Sequence, residues 1–550
     1  MKRLNLKFVS DMVGESYKNW KPKDNVIIKA QTGTGKNYFV SNILLRDIGD
    51  KEKILYMCNR KALKTQTKID FYNIQGLKVP MLANGSYDFD KINKTIKIGK
   101  VEIRTYQSIC LDEHARNYED HDISHEQLNF SSYKYCIFDE IHYILNDSFS
   151  GMTDIMFSKM KKPDNTIKVF MSATIGVIEN SINRMSEETK AKCHIYNQPI
   201  DYSYIKPYVF DEIEDIVRLI KNDKTDDKWL VFVRKIEESK PFIKILGKEN
   251  VTFVRSGKIE LINQIALTST FETKVLVTTC VLDNGVNFKD EKIKHLVTTE
   301  FDKTKFIQEV GRIRFKDCGS EGVYASDVNL YIPRLDDLRI YRSLISKCNY
   351  YESIVEDRDG WVSDDKFGAK YDRDSQKLPK SLFYNTKDKK YVINVIGYAS
   401  LLAEKTMYIK MSGMLQKEDS VNGKKNSIVN LRLDWLGLPR NQFEEISEIV
   451  EDTTVMMIND YLEDLFVNKV VFLTKKDRTE LIETINLIDY HNSCKSKNII
   501  KYVQNIETLN KYIRDTLELP YEIKCFETSR MIEGKKMKYK NAWKVVKIIG

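Results

Sequence analysis

The stretch that most constrains this chain is Ala30-Gln31-Thr32-Gly33-Thr34-Gly35-Lys36-Asn37. It follows a short apolar run, Val26-Ile27-Ile28, and precedes Tyr38-Phe39-Val40-Ser41-Asn42-Ile43-Leu44-Leu45, whose apolar residues recur with helical spacing. Strand, tight glycine turn and helix in that order make a cradle for a polyphosphate. Gly33 and Gly35 let successive backbone N–H groups curl around an anion, and the helix N-terminus behind them adds partial positive charge. Gln31, Thr32, Gly33, Thr34, Gly35, Lys36 and Asn37 are therefore the candidate nucleotide ligands, with Lys36 reaching the β- and γ-phosphates as a point charge. Two positions depart from the usual pattern of such loops. Ala30 stands for the first glycine, and Asn37 stands where a serine or threonine hydroxyl would meet Mg²⁺. The Asn37 carbonyl oxygen can still ligate the metal or its water, so the change weakens catalysis without forbidding it.

Downstream, apolar runs alternate with helix-like segments, the pattern of a mostly parallel sheet. Ile54-Leu55-Tyr56-Met57-Cys58 reads as a strand leading into a helix at Asn59-Arg60, and Val101-Glu102-Ile103 leads into Thr105-Tyr106-Gln107-Ser108. Tyr135-Cys136-Ile137-Phe138 then delivers Asp139, Glu140 and His142 at a strand end, where open α/β sheets bind ligands. Asp139 suits a Mg²⁺ ion held through water, and Glu140 suits orienting or deprotonating an attacking water. Val169-Phe170-Met171 ends another strand with Ser172-Ala173-Thr174. A second α/β series follows, with strands at Leu230-Val231-Phe232-Val233, Val251-Thr252-Phe253-Val254 and Val275-Leu276-Val277-Thr278-Thr279. It closes on Gln308-Glu309-Val310-Gly311-Arg312-Ile313-Arg314.

Taken together, over about residues 20–335, these motifs resemble the superfamily-2 helicases of the DExH type. The resemblance implies two tandem RecA-like P-loop lobes, an α/β fold, with ATP in the cleft and a nucleic-acid strand across both tops. Carried over residue by residue, it gives Asp139 and Asn37 as metal ligands and Glu140, Gln308, Arg312 and Arg314 as catalytic residues. His142, Ser172 and Thr174 become the segment coupling nucleotide state to strand grip, Arg60, Thr105 and Thr279 strand contacts, and Asn287 a position facing the nucleotide. An arginine suits the sixth motif because its fixed charge and planar fork stabilise the spread charge of phosphoryl transfer. Here Phe315 stands where the second arginine of the commoner form sits, which leaves Arg312 and Arg314 as the alternatives, Arg312 first. Tyr17 and Trp20, just upstream of the loop, are open to stacking on the base or packing in the core.

The expected enzyme is an ATP hydrolase with Mg²⁺ as cofactor, coupled to translocation or strand separation on single-stranded or duplex nucleic acid, DNA favoured over RNA. The alternative, raised by Asn37 and Phe315, is a nucleotide-gated binding protein with little or no hydrolysis. A formal charge of +9 is compatible with such a partner. No apolar run approaches a membrane span, the N-terminus lacks a signal-peptide pattern, and nine cysteines form no C-x-x-C pair. A reducing, cytoplasmic compartment is the expectation.

The reading divides the chain into residues 1–198 and 199–335 as the two lobes and 336–550 as a mixed α+β accessory region. Residues 368–385 read as a linker. Helical spacing over 443–462, 481–490 and 500–517, a strand near Tyr521, and a basic hairpin around Lys535, Lys536, Lys538, Tyr539, Lys540, Trp543, Lys544 and Lys547 are compatible either with a winged-helix-like module that touches nucleic acid or with a Lys-rich solvated edge strand.

Overall fold

The computed structural model describes residues 2–59, 61–118, 128–146, 153–255, 257–279, 281–282, 286, 288–313, 316–317, 323–357, 381–385, 390–420, 423–488, 505–532 and 535–548. Arg60, Asn287, Arg314 and Phe315 lie outside them, as does most of the stretch read as a linker.

In the first lobe, seven strands form one sheet in the order Lys97–Ile98, Val101–Thr105, Ile54–Cys58, Tyr135–Asp139, Ile167–Ser172, Asn25–Lys29 and Cys193–Asn197. All neighbours run parallel except the first two. The central strands are buried along their whole length, which is why they are written as continuous apolar runs and not as alternating ones. This order sets the carboxylate strand and the loop strand on either side of Ile167–Ser172. Their C-terminal ends therefore meet on one edge of the sheet, carrying Asp139, Ser172 and the glycine turn together. Trp20 and Tyr17 are both buried in the core of this lobe, packed edge-on against Phe39 with ring centroids 6.2 and 6.3 Å away.

The second lobe repeats the scheme, with Val251–Val254, Val275–Thr278, Lys228–Phe232, Ile293–Thr298, Val328–Pro333 and Ile205–Phe210 as successive parallel neighbours. Two contributions come from outside the span 199–335. Glu444–Glu445 adds a seventh strand beside Ile205–Phe210, and Lys2–Arg3 pairs antiparallel with Val323–Ala325. From there Leu4 and Leu6 enter the core of the second lobe, and the Val9 N–H donates to the Thr34 carbonyl at 2.9 Å. Residues 2–9 thus strap the second lobe to the glycine loop of the first.

The accessory region is fastened to the second lobe through buried arginines. Arg334 donates to Asp211 at 2.8 Å and also to Asn426 and Glu445. Arg432, on helix Ser427–Leu436, donates to the carbonyls of Pro333 (3.0 Å) and Glu300. One turn away on the same helix, Trp435 packs edge-on against Phe306 of helix Lys303–Val310, centroids 5.7 Å apart. Helices Leu338–Glu356 and Val395–Lys417 pack together, and Ile396 reaches the core of the first lobe. Part of the expected linker is ordered structure: Leu382–Asn385 pairs antiparallel with Lys390–Ile393.

The last hundred residues build their own core around Leu462, Leu481, Leu509, Ile513, Tyr521 and Ile523. Their order is helix Ile446–Val467, strand Val471–Phe472, helix Lys475–Ile488, helix Ile506–Lys511 and hairpin Tyr521–Ile532 with Lys535–Lys547. The short strand pairs with the outgoing hairpin strand, the order of a winged helix. No helix among the described residues is long and apolar enough to cross a membrane.

Candidate nucleotide site between the lobes

The glycine loop takes its shape from two left-handed residues, Gly33 (φ 98°) and Gly35 (φ 81°), the conformation that turns consecutive N–H groups toward one anion. Lys36 opens the following helix and bends back, its Nζ donating to the Ala30 carbonyl at 3.1 Å and standing 3.9 Å from Glu140 Oε1. Thr32 Oγ1 is buried with no hydrogen-bond partner. A buried hydroxyl without a partner beside a curled backbone is what a phosphate-binding cradle looks like before its anion arrives. Gln31 is spent differently. Its N–H donates to Gln198 Oε1 (3.0 Å), and its side chain exchanges bonds with the backbone of Asp201 (2.7 and 3.1 Å). It braces the loop against the chain running into the second lobe.

Glu140 has φ +49°, the left-handed region that side chains rarely enter, and its carboxylate lies where three groups converge. Lys36 approaches Oε1, His142 Nδ1 stands 3.3 Å from Oε2, and Gln308 Nε2 of the second lobe donates to Oε2 at a long 3.4 Å. Arg312 Nη2 in turn donates to Gln308 Oε1 at 2.6 Å and its Nε to the Gln308 carbonyl at 2.8 Å, which holds the glutamine amide in one orientation.

The two neighbouring carboxylates titrate apart. Burial, then the charge of Glu140, pushes Asp139 up to about 7. Burial acts in the same sense on Glu140, but the positive charges of Lys36 and Arg312 and the neighbouring His142 outweigh it and hold this carboxyl below its ordinary value. His142 is lowered to about 4, by burial first, and is neutral at physiological pH. Its Nδ1 also lies 2.7 Å from Ser172 Oγ, which accepts the Thr174 N–H at 2.9 Å. Glu140, His142, Ser172 and Thr174 are one connected string. Beside it opens a cavity of about 460 Å³ lined by Gln31, His142, Thr174, Lys303, Ile307 and Trp435.

At the metal end, the Tyr56 hydroxyl lies 2.6 Å from Asp139 Oδ2 and 2.9 Å from Asn37 Oδ1. Asp139 and Asn37 suit a hard divalent cation, both being oxygen donors, one of them a buried carboxylate. The sequence reading passed over Tyr56 as one more residue of a strand. The one available signal was a hydroxyl in the middle of the apolar run Ile54–Cys58.

Thr105 and Thr279 stand apart from this cluster. Thr105 ends the strand Val101–Thr105, where its Oγ1 accepts the Ser108 N–H at 3.1 Å and caps the next helix. Thr279 directly follows the strand Val275–Thr278. Both occupy C-terminal ends of parallel strands, one in each lobe.

The DEAD/DEAH box helicase domain matches residues 14–181, and the helicase conserved C-terminal domain matches residues 211–316. No curated protein sequence matches the chain. Among solved structures, "S. cerevisiae Dbp5 bound to RNA and ADP BeF3" is 18% identical and aligns over 56% of this chain and 79% of its own, with a TM-score of 0.41. "Mycobacterium smegmatis helicase Lhr bound to ssDNA and AMP-PNP" is 14% identical over 72% and 59%, TM-score 0.41. "Escherichia coli DEAH/RHA helicase HrpB" is 15% identical over 59% and 42%, TM-score 0.39.

Proposed function

We infer that this chain, a superfamily-2 helicase by its tandem DEAD/DEAH box and C-terminal helicase domains, is an ATP-driven motor that moves along or separates nucleic-acid strands. The observation that carries the reading is the reach of Gln308, from the second lobe, to the Glu140 carboxylate of the first. A catalytic carboxylate contacted from across the cleft makes hydrolysis depend on closure, and closure is what a strand lying over both lobes controls.

In this reading the Gly33–Gly35 backbone and Lys36 bind the triphosphate, and Glu140 orients and accepts a proton from the attacking water. Gln308 holds that water or the carboxylate in line, and Arg312 supplies fixed positive charge as the γ-phosphoryl group departs. Asp139 and Asn37 would hold Mg²⁺, which when bound neutralises phosphate charge. His142, Ser172 and Thr174 relay the state of Glu140 to the cavity beside Trp435, and so toward the accessory helix packed on the Gln308 helix. Thr105 and Thr279, with Arg60, would grip the strand backbone at the C-terminal ends of the strands of the two sheets. Lys536, Lys538 and Lys540 of the C-terminal hairpin, all exposed, would add phosphate contacts. DNA is the preferred substrate in this account. The rival, a nucleotide-gated binder without hydrolysis, rests on Asn37 alone among the described residues, and Gln308 and Arg312 would have no task in it.

The test is ATP turnover measured in parallel with single-stranded DNA, duplex DNA and RNA. Stimulation by at least one nucleic acid, strongest with DNA, is expected; a turnover rate indifferent to all three would remove the motor reading.

A further inference from the structure

The loop lysine is followed by Asn37, so no hydroxyl stands at that position beside the metal-binding carboxylate, yet the carboxylate is not left alone. Tyr56, fully buried on the strand that pairs with the Asp139 strand, places its phenol oxygen between Asp139 Oδ2 (2.6 Å) and Asn37 Oδ1 (2.9 Å). A phenol has one proton to give and an oxygen that accepts. The shorter contact, to a carboxylate, takes the proton. The Asn37 side-chain oxygen, 2.9 Å from the same phenol oxygen, is the second acceptor facing that hydroxyl. One hydroxyl so orients both oxygen donors of the cation site. The ring itself is fixed by Phe71, edge-on with centroids 5.6 Å apart.

We propose that Tyr56 is a positioning residue for the divalent cation, supplying from the sheet the hydroxyl that the loop lacks at Asn37. The proposal rests on the nucleotide-site reading above. It goes beyond that reading by giving the departure at Asn37 a compensating partner, 19 residues away in sequence. Tyr56 touches neither substrate nor metal. It acts through Asp139 and Asn37.

The test is titration of the full chain with MgCl₂ while a fluorescent ATP analogue reports binding, in Tyr56→Phe, Asn37→Thr and the double variant. Tyr56→Phe removes only the hydroxyl and keeps the ring. It should raise the Mg²⁺ concentration for half-maximal binding by about tenfold and leave metal-free nucleotide affinity unchanged. Asn37→Thr, which restores a hydroxyl to the loop, should return the midpoint of Tyr56→Phe to within a few-fold of the parent. An unchanged midpoint in Tyr56→Phe overturns the proposal. So does a Tyr56→Phe protein that loses metal-free affinity or melts earlier without a midpoint shift, because that is packing and not positioning. So does a shifted midpoint that Asn37→Thr leaves in place. Lys36→Ala separates the two levels of the argument: if it leaves nucleotide binding intact, the nucleotide-site reading itself has failed.

Discussion

Gly311 of the second lobe lies so close to Thr32 of the glycine loop that a Cβ on Gly311 would stand 2.6 Å from the Thr32 Cβ. Real side chains do not approach that closely, so the two lobes meet here through a position that tolerates only glycine. The close approach also explains the geometry around it, since Gln308, three residues earlier and held by Arg312, can reach the Glu140 carboxylate only when the lobes are this near.

Gly311→Ala should therefore hold the cleft open by about 1 Å, the distance between this approach and ordinary van der Waals contact. Nucleotide binding to the first lobe is expected to survive within a few-fold, because the loop and Lys36 are untouched. Hydrolysis should fall by on the order of 10²-fold, the usual consequence of displacing a catalytic group by about 1 Å. Steady-state ATPase beside equilibrium nucleotide binding checks this. A variant with parental turnover would show that hydrolysis does not need the approach.

His295 links the fold of the second lobe to pH. It stacks on Trp229 with centroids 3.9 Å apart, and burial lowers its pKa to about 4. The unfolded chain takes up this proton near pH 6.5 and the folded chain does not, so folding is disfavoured as pH falls from about 6.5 toward 4. Above that window the residue has no effect on the slope. The loss should approach roughly 3 kcal/mol at the low end, by the free-energy equivalent of the shift. Denaturant melts of His295→Gln between pH 7 and 4.5 should show a shallower decline than the parent, and parallel declines would assign the acid sensitivity elsewhere.

The C-terminal hairpin offers a test outside the ATP site. Its six lysines were read as one basic surface, but Lys547 is held by Glu463 at 2.9 Å and Lys544 lies over the Phe526 ring at 5.0 Å. Trp543, considered for base stacking, is half-buried against the module's core with Arg478 over its ring at 5.6 Å. Lys536, Lys538 and Lys540 are exposed as well, and the test falls on them. Changing these three to Gln should weaken strand binding and reduce the slope of log affinity against log salt by roughly 2 to 3, about one per lost phosphate contact. Basal ATPase should stay the same. An unchanged slope would make the hairpin a solvated edge.

What the sequence revealed and concealed follows from the range of the interactions. The glycine loop, Asp139-Glu140 and Gln308-x-x-Gly-Arg312 were legible because phosphate chemistry demands fixed residue types at the ends of apolar strands, and each is readable within ten residues. Tyr56 was not legible, since its hydroxyl matters only through Asn37 and Asp139, 19 and 83 residues away. The strap Lys2–Arg3 and the edge strand Glu444–Glu445 are two residues long, too short to carry any periodicity, and pair with distant strands. The role of Trp20 stayed open between base and core because burial, unlike spacing, is set by what folds around a residue.

The most direct test of the account is the ATP dependence of strand binding by Glu140→Gln. The substitution keeps the size of the side chain and its contact with Gln308 but removes the charge that accepts the water proton. The account predicts that ATP turnover falls to near background while ATP still binds, and that ATP now tightens the grip on single-stranded DNA because the closed state persists. Loss of ATP binding, or turnover within a few-fold of the parent, would contradict the assignment of Glu140 and with it the cleft as the engine of this protein.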